Sequence, residues 1–177
     1  MINDVSMTLS SSSLIISDTS VLINFLKIDR VDLLGNLPSR ILVTEHVVDE
    51  LTNAYPDQLT RYEASLNAGF IEAVSVDPLE EAALLIQLRK DHQLGMGECS
   101  AFATALHRHA ALAIDDGRAI KKLRPYAPSM IILGTQDLMV TMIRQGLLSV
   151  SEADHYLNAW ATSFSFRLKI NSFYDVL

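Results

Sequence analysis

Several acids stand where a solvated surface role does not account for them. Asp18 interrupts the apolar run LIISDTSVLINFL, between Ser17 and the pair Thr19 and Ser20. A carboxylate at the end of a hydrophobic strand is costly to desolvate unless a hydrogen-bond donor or a cation meets it. Asp115 and Asp116 close a second apolar run, LAIDD, and Gly117 behind them permits a tight turn. Glu50 follows Val47 and Val48 in TEHVVDEL, and Glu98 opens the helical segment GMGECSAFATAL. Acids brought to one place from separate segments repel one another, which raises some pKa values and destabilises the fold unless cations offset the charge. Hard ions such as Mg²⁺ or Mn²⁺ prefer carboxylate oxygens and keep several waters, which suits a set without His or Cys. Such ions promote phosphodiester hydrolysis by lowering the pKa of a bound water and stabilising charge on the attacked phosphorus and the leaving oxygen. Taken singly, the acids have simpler readings: Asp18 is a good N-cap for a following helix, and Glu98 complements a helix dipole.

Convergence requires elements that deliver these segments to one edge. Short β-branched runs, SLIIS, RILVT, FIEAVSV, LAID and MIIL, read as strands of a buried sheet. Between them the spacing predicts helices over 19–27, 46–53, 58–68, 79–92, 97–109 and 136–145, and a last one from Ser151, as N-cap with Asp154 three residues on, to about Trp160. Strands separated by helices predict an α/β fold with a mainly parallel sheet of about five strands and a helical C-terminal part, because each crossover needs a helix to return the chain. In such sheets function gathers at the carboxyl ends of strands, where Asp18, Asp115 and Asp116 fall. In TEHVVDEL, Val47, Val48 and Leu51 form the core face, and in GMGECSAFATAL the buried stripe is Ala101, Phe102, Ala105 and Leu106.

The chain of 177 residues is 49% hydrophobic, which suits one compact domain over 13–177, with 1–12 expected as a flexible polar tail. A net charge of -7 argues against holding nucleic acid through an extended basic surface, though not against a nucleic-acid substrate at a cation-loaded site. Cys99 is the sole cysteine, so neither an intramolecular disulfide nor a thiolate zinc site is available. With no secretory signal and no long apolar span, a cytoplasmic location without membrane association is expected.

In order and rough spacing, ISDTSVLINF, TEHVVDEL, LGMGECSAFATAL and LAIDDGRAIKKL resemble the four acidic blocks of the PIN domain, over about 14–148. The GMGE and IDDGRA forms are most similar to the VapC-like toxins of type II toxin–antitoxin pairs. The resemblance implies a three-layer α/β/α fold and a Mg²⁺- or Mn²⁺-dependent endoribonuclease that cleaves RNA with a metal-activated water. It implies Asp18, Glu50, Glu98 and Asp116 as catalytic acids, and Asp18, Glu98 and Asp116 as metal ligands, with Asp115 kept as the alternative for the fourth position. Ser20 is implied as the hydroxyl supporting Asp18. A cognate antitoxin and a homo-oligomer are the partners it implies.

Two other classes stay open at this level. A phosphate-transfer protein, either an aspartyl-phosphate phosphatase or a receiver domain, also places acids at strand ends, but a phosphatase wants an acid where Ser20 stands and a receiver wants its acid pair early. A non-catalytic module of the same fold is the third reading, and four filled acid positions speak against it. Arg118, the first of four cations in RAIKKLRP, is the nearest candidate for holding substrate phosphate, although a solvated helix face is the simpler and more common explanation of any one such residue. The histidines read as surface or core residues, and the aromatic C-terminus (Trp160, Phe164, Phe166, Phe173, Tyr174) as packing or an oligomer contact.

Overall fold

A computed structural model describes residues 13–177; the expected tail over 1–12 lies outside the described residues. Five strands, β1 (Leu14–Ser17), β2 (Arg40–Thr44), β3 (Glu72–Val74), β4 (Ala111–Ala113) and β5 (Ile132–Leu133), form one sheet in the order β3-β2-β1-β4-β5. Every pairing is parallel, with Ile16 opposite Leu42 on one side and Leu112 on the other. Parallel strands covered on both faces read as continuous apolar runs, and Ile15, Ile16, Val43 and Leu112 are fully buried. Each such side chain stabilises the fold by about 1.5–3 kcal/mol relative to exposure.

The sequence order reverses direction between β1 and β4. From β1 the chain builds outward through β2 and β3, then returns to β4 beside β1 and builds the other way to β5. The carboxyl ends of strands at such a switch point border a crevice that adjacent crossovers leave uncovered. The Asp18 amide donates to the Ala113 carbonyl at 2.8 Å, so the ends of β1 and β4 lie side by side there.

The helices flanking the sheet are α1 (Thr19–Lys27), α2 (Asp32–Gly35), α3 (Glu45–Ala54), α4 (Leu59–Asn67), α5 (Leu79–His92), α6 (Met96–His107), α7 (Gly117–Leu123), α8 (Thr135–Arg144) and α9 (Val150–Ser163). The α6 helix stops at His107, two residues short of the spacing's expectation, because Arg108 leaves the helix and His109 takes a left-handed φ of 52°. Helix α6 is buried nearly all round, including Cys99, Ala101, Phe102 and Ala105, which fits its place against both the sheet and α5; Val48 and Leu106, expected in the core, are only partly buried. The pairing of Arg108 with the fully buried Glu81, at 2.8 Å, ties the end of α6 to α5.

The last helix corrects a second boundary. Its N-cap is Ser149, whose hydroxyl accepts from the Glu152 amide at 3.2 Å while the Glu152 carboxylate accepts from the Ser149 amide at 2.8 Å. Ser151 and Asp154 have the same spacing, but Asp154 instead accepts from the Ser172 hydroxyl and the Phe173 amide, holding the C-terminal segment against α9. Ser149→Ala is therefore expected to cost about 1 kcal/mol in denaturant unfolding and Ser151→Ala almost nothing. Trp160 and Phe173 are fully buried, and the Trp160 indole donates to the Asn24 carbonyl at 2.9 Å, so these two aromatics serve packing. Among the described residues no helix is long and apolar enough to cross a membrane.

Candidate active site

Asp18 closes β1 and caps α1, and its two oxygens have different fates. Oδ2 accepts from the Ser20 amide at 3.0 Å and from the Ser20 hydroxyl at 2.6 Å. Oδ1 is buried and, among the described residues, has no hydrogen-bond partner. The cap accounts for one oxygen only. Burial pushes the Asp18 carboxyl up from 3.8 to about 6, against the two Ser20 hydrogen bonds that pull it down. Ser20 is itself held, since its hydroxyl accepts from the Asp115 amide at 3.0 Å and so turns its own proton toward Asp18.

Glu50, Glu98 and Asp116 line the same cleft as Asp18, with Thr19, Ser20, Asn53, Tyr55 and Gly95 completing a wall around about 450 Å³. Four elements supply these acids: the end of β1, the middle of α3, the first turn of α6 and the N-cap of α7. Glu98 accepts from the Gly95 amide at 2.8 Å, so the helix-start role foreseen for it holds as well. Burial raises the Glu98 carboxyl above its ordinary value, and the Asp116 and Glu50 charges raise it further. Asp116 Oδ1 accepts from the amides of Arg118 and Ala119, at 2.7 and 3.1 Å.

Asp115 points its interactions elsewhere. Its carboxylate accepts from the Thr135 amide at 2.9 Å, the Thr135 hydroxyl at 2.6 Å and the Asn24 amide group at 3.1 Å, and it is absent from the wall of the cleft. These bonds join the segment after β4 to the start of α8 and the middle of α1. Asn24 and Thr135 escaped the sequence reading; the available signal was a polar Asn inside the otherwise apolar stretch of α1.

A second depression shares Glu98 and Asp116 with the first and is lined by Arg118, Lys121 and Lys122. Arg118 is almost wholly exposed and lies 3.9 Å from Asp116 Oδ2, a weak pairing that leaves it able to meet an anion. Lys122 donates to the His92 carbonyl at 2.8 Å. The acids thus sit between a polar cleft and a cationic one.

The donor set fits a hard divalent ion. All four groups are carboxylates, one buried oxygen lacks a partner among the described residues, and burial together with the neighbouring Asp116 and Glu50 charges raises Glu98. Among the described residues, no three His, Cys, Asp or Glu side chains are disposed to hold an ion directly. Mg²⁺ requires less than that, because it retains several waters and is commonly bound through one or two carboxylates.

None of the curated proteins compared with the chain matches it. A family model described as a PIN domain, DUF3368, matches residues 14–177, from the first residue of β1 through the buried aromatics of the C-terminal part. With the parallel order β3-β2-β1-β4-β5 and the acids gathered at its switch point, the chain belongs to the PIN-domain family, a nuclease-related family.

Proposed function

We propose that the protein is a divalent-cation-dependent endoribonuclease and the toxin of a toxin–antitoxin pair. The observation that carries the nuclease reading is that Asp18, whose buried Oδ1 has no partner among the described residues, lines a cleft with three further carboxylates. PIN domains typically bind Mg²⁺. Asp18, Glu98 and Asp116 are the residues that would hold the ion, and Glu50 adds its charge to the same cleft. A bound ion would supply activation of a water and stabilisation of charge on the phosphodiester.

The chain's own groups do the rest. Ser20 orients Asp18 by donating two hydrogen bonds to one oxygen, which leaves the other buried and, among the described residues, without a partner. Arg118 and Lys121 offer cations beside the acids, where the phosphates of a strand crossing from one depression to the other would pass. The -7 net charge makes these few cations the local attraction, so binding should weaken with salt through a small number of contacts. The toxin assignment is supported by the similarity of the GMGE and IDDGRA segments to VapC-like proteins, and with it come a cognate antitoxin, self-association and a cytoplasmic setting as expected companions.

Purified protein freed of any inhibitor is expected to cleave RNA internally with Mg²⁺ or Mn²⁺ and to stop on addition of EDTA. Gel analysis of a defined single-stranded RNA reads this directly. Cleavage that persists in EDTA would overturn the mechanism, and an inert protein that also takes up no Mn²⁺ would return the fold to a binding role.

A further inference from the structure

Glu50 is held more tightly than a half-buried glutamate needs to be. The Thr19 hydroxyl donates to Oε2 at 2.8 Å, and the Gly97 amide donates to Oε1 at 2.9 Å. One carboxylate thereby joins the first residue of α1, the middle of α3 and the first turn of α6. Each oxygen keeps a further lone pair toward the cleft side chains and solvent.

Gly97 contributes a second way, through what it lacks. A Cβ there would fall 2.4 Å from Glu50 Oε2 and 2.7 Å from Cδ, closer than atoms approach, and one at Gly95 would fall 3.0 Å from Oε1. The obstructed group is the far end of a flexible side chain, so an added methyl moves the carboxylate and spares the backbone. The glycines of GMGE thus have a physical purpose: they leave the space that Glu50 occupies.

We propose that Thr19 and Gly97 are positioning residues of the acid cleft, fixing the Glu50 carboxylate against the place a divalent cation takes. This rests on the nuclease reading above. A merely structural pair would report through stability alone. Because Glu50 is half-buried and water can satisfy it once released, releasing it costs little stability and shows in ion affinity and turnover instead.

The test uses the full chain with Thr19→Val, Thr19→Ser and Gly97→Ala, Mn²⁺ titration by calorimetry, thermal melts in EDTA, and kcat and KM for RNA cleavage. Thr19→Val and Gly97→Ala are expected to weaken Mn²⁺ binding about tenfold or more and to lower kcat with KM for RNA little changed, as losses of polar groups arranged around a metal's own ligands do. Thr19→Ser, which keeps the hydroxyl, is expected to recover most of the affinity, and all three should melt near the wild type in EDTA. Wild-type Mn²⁺ affinity in both Thr19→Val and Gly97→Ala would overturn the inference while leaving the nuclease reading intact. A wild type that takes up no Mn²⁺ overturns both. If Gly97→Ala fails to fold, the Thr19→Val and Thr19→Ser pair decides alone.

Discussion

Asp18→Asn is expected to abolish RNA cleavage and to make the cation-free protein more stable. The first effect follows from removing a charge that would hold the ion: several kcal/mol of transition-state stabilisation corresponds to about 10³-fold in rate. The second follows from linkage. The folded carboxyl titrates at about 6 against 3.8 for an unperturbed group, so between those values the folded chain binds the extra proton and stability falls as pH rises. Below about pH 4 the group is protonated in both states and the burden is absent; above pH 6 it reaches up to about 3 kcal/mol. Asparagine keeps an oxygen to accept from Ser20 and places no charge in the buried site. Thermal melts in EDTA at pH 7.5 should show the variant several degrees above the wild type, with the gap closing at pH 4. Added Mn²⁺ should raise the wild type and leave the variant unmoved. A variant less stable than the wild type at pH 7.5 in EDTA would mean that the Asp18 charge is satisfied inside the fold and awaits no cation.

The same residue shows how far reasoning from sequence reaches. A strand-end acid in an apolar run is visible because its cost depends on local composition, and the inner strands β1, β2 and β4 are visible because doubly covered parallel strands read as short apolar runs. Asp18 and the Asp115–Asp116 pair could be assigned to one edge because the carboxyl ends of strands in a parallel sheet share a side, whereas Glu50 and Glu98 lie on helices and joined the set only through the resemblance to the PIN domain. What stayed hidden depends on contacts between distant segments. Nothing in the local pattern of Thr19 or Gly97 says that both meet Glu50, across 31 and 47 positions. The choice between Ser149 and Ser151 as a cap was hidden for the same reason, since Ser172 and Phe173 claim Asp154 from 18 and 19 residues away. Adjacent Asp115 and Asp116 are chemically identical in sequence, and only their surroundings separate them.

That separation gives the second large effect. Asp115→Ala is expected to destabilise the fold by about 3 kcal/mol, because it strips the acceptor from the Thr135 amide and hydroxyl, and an unmet buried donor costs about 1–3 kcal/mol. Thr135 is fully buried and Asn24 nearly so, so water cannot replace the lost carboxylate without opening the start of α8. At about 2–4 °C per kcal/mol the melting temperature should drop by roughly 6–12 °C. Asp116→Asn makes the opposite pattern: asparagine caps a helix as well as aspartate does, so the amides of Arg118 and Ala119 stay satisfied and the melt should barely move. Its missing charge borders both the acid cleft and the cationic depression, so Mn²⁺ affinity and cleavage should fall steeply. Melting curves and Mn²⁺ titrations on the two variants therefore distinguish a supporting acid from an ion-holding one. Should Asp115→Ala keep the wild-type melt and lose Mn²⁺ while Asp116→Asn retains it, the roles of the two neighbours are the reverse. The Asp115 bonds to Thr135 and Asn24 would then have to yield to the ion on binding.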